Sequence, residues 1–409
     1  MIYIYNFSIR IYWLVIAIAA AFNSKAKLWL QGRKKWETTY ADLFKHMGQH
    51  SVWFHCASLG EFEQAKPLIE LIKNHKPSTN IIISFSSPSG YENRKHEPLA
   101  SAVIYLPIDT ANNARNLINL INPSQVFFVK YEFWYHYIYT LFQQKVPIYL
   151  LSGNFRKEQL FFKWYGGFYR RILTFFSHIY LQNSSSASLL ESISITRYSV
   201  QGDTRFDRCW IQTTSPKHYP IIESFIQRQF CLIAGSTWPA EEKLLLDLHK
   251  LYPQIKIIIA PHEISRSSEI ASTFSSAILY SNCEKATGLT STSNILIIDK
   301  IGMLAQLYQY ASVALVGGGF SGQLHNILEA AAWGKPVIYG PNTYKFPEGD
   351  ALVHKGGGFK VSSCEDLVEI IERLYNNKDQ LLHAGNNAKE FIIRGVGATE
   401  RVYKDVFTN

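Results

Sequence analysis

Cysteine is scarce in this chain, and what there is does not pair. Cys56, Cys209, Cys231, Cys283 and Cys364 are odd in number, widely scattered, and contain no C-x-x-C. A disulfide framework and a zinc module are thereby disfavoured, and a reducing compartment fits best. No block of five or six Lys/Arg occurs, nor a zinc-finger or RNP pattern, so nucleic acid is not an expected partner. Basic residues still outnumber acidic ones, 41 to 32, and a formal charge of +9 suits an anionic surface or a phosphorylated substrate. Charged residues are only 18% against 47% hydrophobic, which excludes a disordered chain. Spread over 409 residues, that apolar content fills the cores of two domains of ordinary size.

Long apolar runs are also few. Residues 11–22, IYWLVIAIAAAF, are uninterrupted, and as a helix they rise about 18 Å against a hydrocarbon core of about 30 Å. Extension back to Ile2 nearly supplies the length but brings in Asn6, Ser8 and Arg10. Tyr3, Tyr5, Tyr12 and Trp13 are aromatics of the kind found at headgroup depth, and Lys25, Lys27, Arg33, Lys34 and Lys35 follow. That charge lies on the side of the folded domains, which is then the cytoplasmic side. Residues 1–24 are expected to anchor the chain at a membrane. A buried core helix and a signal peptide are the alternatives, although a basic start is missing.

Beyond the anchor, short β-branched and aromatic runs alternate with helical stretches. Strands are expected over 52–56, 81–86, 102–107, 125–130, 147–151, 178–181 and 198–200, with helices such as 62–73 and 111–121 between them. The polar stretch 209–219, CWIQTTSPKHY, reads as a linker. Strands resume over 230–234, 255–260, 295–298, 313–316 and 336–338. The expected architecture is therefore α/β, with two Rossmann-like doubly wound parallel-sheet domains and a cleft between them. The domains are 25–208 and 221–409, joined by a linker at 209–220.

Ligands of such sheets bind beyond the carboxyl ends of the strands, so the strand-to-helix turns are where chemistry is sought. The first turn, HCASLGE, holds Ser58, Gly60 and Glu61. Glu61 suits a general base, or else an acid that complements a helix N-terminus. Glu132, at the end of a very apolar strand in KYEFW, is either functional or ion-paired. Arg205 in GDTRFD suits a phosphate, or a surface pair with Asp203 or Asp207. Ser236 and Thr237 form a turn able to touch phosphate or sugar, or cap a helix. His262 and Arg266 follow Pro261 in PHEISR. The run GGGFSGQLHNILE places Gly318 and Gly319 after a strand, where backbone amides can approach a phosphate, with His325 and a helix start following. The glycine spacing fits G-x-G-x-x-G loosely, but no acidic residue in the expected strand-end context supports a nicotinamide site.

In order along the chain, GRKKWE (32–37), HCASLGE, Glu132 with Trp134, Asn154 with Arg156, GDTRFD, AGST, GGGF and HNILE resemble the signatures of the 3-deoxy-D-manno-octulosonic acid (Kdo) transferases of lipopolysaccharide biosynthesis. The resemblance implies a GT-B fold and a membrane-associated N-terminus at the cytoplasmic face of the inner membrane. It also implies inverting transfer of Kdo from CMP-Kdo to the lipid A precursor (lipid IVA), with no cofactor and no metal. By the same resemblance Glu61 is the base, and Glu132 and Arg205 stabilise the transition state. Pro261, His262, Gly302, Met303, Leu304, Asn326, Ile327, Leu328 and Glu329 contact CMP. Ser58, Gly60, Arg156, Ser236, Thr237, Arg266, Gly318, Gly319 and His325 contact the substrates.

Departures from that pattern fall mostly on the donor side. Arg205 stands where the family often has Lys, and His262-Glu263 replaces the usual Arg-His. Met303 replaces a usual Glu, Trp238 a usual His, and Gln323-Leu324 a glycine pair. The alternatives are another GT-B enzyme, such as a lipid A disaccharide synthase or a sugar-nucleotide epimerase, and a non-catalytic relative that binds nucleotide or lipid.

Overall fold

Runs of Ile, Val and Phe become strands buried on both faces, as parallel sheets require. The computed structural model describes residues 1–45, 47, 51–274, 276–286, 288–289 and 293–408. It divides into two units: residues 1–208 with the segment from Val396 onward, and Cys209–Gly395.

In the first unit the strands are β1 Ser51–Cys56, β2 Asn80–Phe85, β3 Ala102–Tyr105, β4 Pro123–Val129, β5 Ile148–Gly153, β6 His178–Leu181 and β7 Tyr198–Val200. They pair in parallel in the order β3-β2-β1-β4-β5-β6-β7. The second unit has β8 Cys231–Thr237, β9 Lys256–Pro261, β10 Ile278–Leu279, β11 Ile295–Ile297, β12 Val313–Val316, β13 Val337–Tyr339 and β14 Gly358–Lys360. Its parallel order is β10-β11-β9-β8-β12-β13-β14. Strand order therefore reverses between β1 and β4 in one sheet and between β8 and β12 in the other, and at such a reversal a crevice opens for a ligand.

Two expectations need correction. The linker at 209–220 is in part the end of a helix, Thr204–Thr214. Its polar composition reflects an amphipathic helix rather than an irregular segment. The chain from Val396 onward belongs with the first unit and not with the second. There the helix Ala398–Phe407 buries Val402 and Tyr403 among Phe54, Ile69, Phe127 and Tyr180. Asp207 fastens it, accepting from the backbone N–H of Gly397 (2.5 Å) and of Thr399 (2.9 Å) and from the Thr399 hydroxyl (2.8 Å).

The N-terminal helix runs Ile2–Ala19 and, by length and composition, is apolar enough to cross a membrane. One stripe of it seats on the first unit. The Tyr5 hydroxyl donates to Asp109, Asn6 Oδ1 lies 2.6 Å from His136 Nε2, Ile9 is buried, and Tyr12 meets Trp29 edge-on at 5.8 Å. Tyr3, Ile4, Phe7, Leu14, Val15 and Ile18 remain exposed on other sides. Asn6, a polar interruption in the apolar run, is thereby turned toward protein.

Candidate active site

At the reversal point of the first sheet, β1 ends in His55-Cys56 and β4 leads into Glu132. Ser58 is the N-cap of the helix Leu59–His75, and Glu61 completes a capping box. Glu61 Oε2 accepts from the Ser58 backbone N–H (3.0 Å) and also from the Ser58 hydroxyl. Both sequence readings of Glu61 are thus compatible: one oxygen caps the helix, while Oε1 accepts from no described residue. Gly60 is exposed, and a Cβ there would meet only Ser58 Oγ at 3.7 Å, so the space above this turn is open.

Glu132 is held more tightly. Its Oε2 accepts from Trp134 Nε1 (2.6 Å) and Ser86 Oγ (3.0 Å) and lies 3.0 Å from His55 Nε2. Burial pushes the Glu132 carboxyl up, but these partners outweigh burial and bring it below the usual carboxylate range. Both acids act on one neighbour. Burial first, then the charges of Glu61, Glu132 and Glu63, push the Cys56 thiol well up, so that this cysteine is no nucleophile.

Arg33, from the basic stretch, serves architecture. Its guanidinium donates to the carbonyls of Leu106 (2.7 Å), Trp29 (3.0 Å) and Ser86 (2.8 Å) and lies 3.8 Å over the Trp29 ring. Arg205 takes the surface-pair reading in part: Asp203 accepts from its backbone N–H (2.9 Å), Nε (2.8 Å) and Nη2 (2.7 Å). Asp207 is not in that pair, because it caps the C-terminal helix. Arg156 is exposed and donates to the Tyr131 hydroxyl at 3.2 Å.

In the second unit the turn after β8 and the turn after β12 are bound together. Gly317 and Gly319 are packing glycines: a Cβ on Gly317 would strike the Ser236 carbonyl, and one on Gly319 would meet Gly340 N at 2.5 Å. Gly318 has φ +86, which disfavours any side chain. Buried Glu241 braces both turns, accepting from Gly318 N (2.9 Å) and Trp238 N (3.1 Å). Ser236 holds a left-handed φ of 53, and the Thr237 hydroxyl donates to Glu242 at 3.3 Å.

An aromatic stack stands beside them. Trp238 lies on His262 (4.5 Å, 16°), His262 is 4.6 Å from His325, and Trp238 Nε1 donates to His325 Nε2 at 3.2 Å. Burial, and secondarily His262, lower the His325 pKa to about 4, so its ring is neutral at pH 7.

The structure revises several donor-side expectations. The helix after the glycine turn is short, Ile327–Ala332, and starts only after an irregular stretch. Little macrodipole is therefore available to hold a phosphate. Ile327 and Leu328 are core residues, exposed by 1% and 0%, so only their backbone can face a ligand. Asn326 caps this helix through Leu328 N (3.3 Å) and donates to Glu329 at 3.2 Å. Pro261 ends buried strand β9, Met303 is buried, and Leu304 packs over Gly235, whereas Gly302 sits in open space with φ +84. Arg266 is committed to Glu242 through two bonds of 3.0 and 2.8 Å and to Glu269 at 3.4 Å, which makes it a poor substrate ligand. Sequence reasoning passed over His55, although a histidine within the apolar run VWFHC was an available signal, whereas Glu241 is the first-turn acid that a capped helix after AGST implies.

The family model for 3-deoxy-D-manno-octulosonic-acid transferase (kdotransferase) matches residues 32–208. A 3-deoxy-D-manno-octulosonic acid transferase of Haemophilus influenzae is 26% identical over 86% of this chain and 85% of its own length. A bifunctional glycosyltransferase/methyltransferase of Fusobacterium nucleatum is also 26% identical, over 80% of this chain, which spans about half (53%) of that protein. Among solved structures, the UDP-GlcNAc 2-epimerase of Neisseria meningitidis superposes with a TM-score of 0.61 at 19% identity, covering 88% of this chain and 100% of that one, a likeness of fold alone. Two seven-stranded parallel sheets, each with its candidate residues at the strand-order reversal, together with these relatives, define a glycosyltransferase of GT-B architecture. Over most of its length it is similar to 3-deoxy-D-manno-octulosonic acid transferases.

Proposed function

We propose that the protein transfers Kdo from CMP-Kdo to a lipid A precursor, lipid IVA, in lipopolysaccharide biosynthesis, with inversion at the anomeric carbon and without a metal ion. The observation that carries this reading is the placement of Glu61 and Glu132 at the β1/β4 reversal, within the segment matched by the family model. Glu61 takes the proton of the attacking sugar hydroxyl on Oε1, while Oε2 stays in the capping box. Ionised Glu132 stabilises positive charge developing at the anomeric carbon, and Arg205 acts on the departing anion. In the second unit the Trp238–His262–His325 stack, beside the glycine turn that Glu241 braces, offers a flat aromatic face to the base of CMP.

The exposed apolar sides of the Ile2–Ala19 helix enter the cytoplasmic face of the inner membrane, among anionic lipids. Such a placement brings a lipid-borne acceptor to the first unit. The test is incubation of the detergent-solubilised chain with CMP-Kdo and tetraacylated lipid IVA, followed by mass analysis. One or more Kdo additions, undiminished by EDTA, are expected. Absence of any addition would reject the substrate assignment, and loss of product in EDTA would reject the metal-independent route.

A further inference from the structure

His55 takes no part in the chemistry above, yet it is fully buried beside the one oxygen of Glu132 that the protein holds. On neighbouring strands β1 and β2, His55 and Ser84 are register partners. The Ser84 hydroxyl is also buried, with Trp53 Nε1 2.7 Å away on one side and His55 Nδ1 2.8 Å away on the other. An indole N–H can only donate, so Ser84 Oγ accepts from Trp53. The single hydroxyl proton then needs an acceptor, and among the described residues His55 Nδ1 is the one within reach. Nδ1 therefore bears no proton in the neutral ring, and the ring N–H sits on Nε2. That N–H faces Glu132 Oε2 at 3.0 Å. The same assignment settles a rival contact. Trp134 Nε1 lies 3.1 Å from His55 Nε2 and 2.6 Å from Glu132 Oε2, and with Nε2 protonated it donates to the carboxylate.

We infer that His55 is a positioning residue: the chain Trp53–Ser84–His55 fixes one imidazole tautomer, and its Nε2–H, with Trp134 and Ser86, pins Oε2 so that Glu132 stays ionised with Oε1 left for the substrate. Oε1 accepts from none of the described residues, and the Glu132 side chain keeps 15% of its exposure. A carboxylate pinned through one oxygen needs no rearrangement when charge develops nearby, which is the condition for electrostatic catalysis. Three donors on a single buried oxygen also hold the acid in its charged form. This inference rests on the proposed role of Glu132 and extends it to residues that never touch the sugar.

The experiment is the pH dependence of kcat/KM for Kdo transfer in the full-length chain. The carboxylate form is the active one, so activity is lost as pH falls through the Glu132 pKa. Removing a donor raises that pKa and moves the acid limb to higher pH. His55→Ala is expected to move the limb upward by about one pH unit, the size of one hydrogen bond to a charged group. It should lower kcat about tenfold or more, with little change in KM for CMP-Kdo. His55→Gln keeps an N–H donor and should return the limb most of the way. If His55→Ala yields no folded protein, Ser84→Ala releases the tautomer and should move the limb the same way by less. An acid limb that stays at the parental pH in His55→Ala, or in Ser84→Ala where His55→Ala does not fold, overturns the inference. Glu132→Gln is the control: if it retains parental turnover, the role of Glu132 itself falls. If it is inactive while the limb of His55→Ala is unmoved, only the positioning role falls.

Discussion

Glu241 Oε1 lies 2.9 Å from the backbone nitrogen of Gly318, joining residues 77 positions apart. An acid at the start of one helix thereby sets the shape of a glycine turn after another strand. Glu241→Ala leaves the Gly318 and Trp238 N–H groups without their acceptor, and each such loss costs about 1–3 kcal/mol when buried. We expect a lower thermal midpoint and weaker CMP binding by calorimetry, restored only in part in Glu241→Gln, whose single amide oxygen can accept from one of the two N–H groups while its NH2 faces the other. An unchanged midpoint in Glu241→Ala would mean that packing alone shapes the turn.

Glycines at the two reversal points should respond in opposite ways. Gly319→Ala drives a Cβ into the backbone of Gly340 at 2.5 Å, which cannot yield cheaply. It is expected to lower stability by about 1–3 kcal/mol. Gly60→Ala meets only Ser58 Oγ at 3.7 Å and should leave the melting temperature within a degree or two. If the acceptor passes over this turn, Gly60→Ala raises its KM severalfold. Equal effects of the two substitutions on stability would contradict the packing assigned here.

Glu61→Gln separates capping from catalysis, because the amide oxygen still accepts from Ser58 N while the basic oxygen is lost. Transfer should fall by about 10²–10⁴-fold with the melting temperature nearly unchanged. Glu61→Ala should lose activity and also about 1 kcal/mol from the broken cap. Wild-type turnover in Glu61→Gln places the base on another group.

His325 makes the second unit sensitive to acid. Its folded pKa, about 4, lies below that of the unfolded side chain, about 6.5. The unfolded state therefore binds the proton first. The stabilising contribution is whole above pH 6.5 and is lost progressively as pH falls toward 4. Chemical denaturation between pH 7 and 4 should show a declining midpoint, flatter in His325→Asn. Parallel declines for parent and variant would exclude His325 as the source.

Much of this was legible in the chain. Runs such as 257–260 and 313–316 are apolar throughout, as strands of a parallel sheet covered on both faces require. The strands Ile278–Leu279 and Gly358–Lys360 escaped notice because one is two residues long and the other follows glycines that read as a turn. Both are sheet edges, where little burial shapes the sequence. Glu61 and Glu132 stood out as acids after apolar strands. What neighbouring sequence could not supply was partnership at a distance. Asp207 looked like a partner for Arg205 and instead holds Gly397 and Thr399, while Arg266 looked available and is held by Glu242. His55 was hidden for the same reason, since its significance comes from Ser84 and Glu132 on other strands.

The return of helix Ala398–Phe407 to the first sheet bears on how the protein is made. Asp207 waits for partners about 190 residues downstream, so part of one face of the first sheet, beside helix Leu59–His75, stays uncovered throughout synthesis of the second unit. A fragment ending near residue 208 would carry that uncovered apolar surface and call for a chaperone, whereas a peptide of residues 396–409 supplied in trans would cover it. The two halves are thus not separable cassettes, and exchanging the second unit between relatives requires carrying the terminal helix with the first.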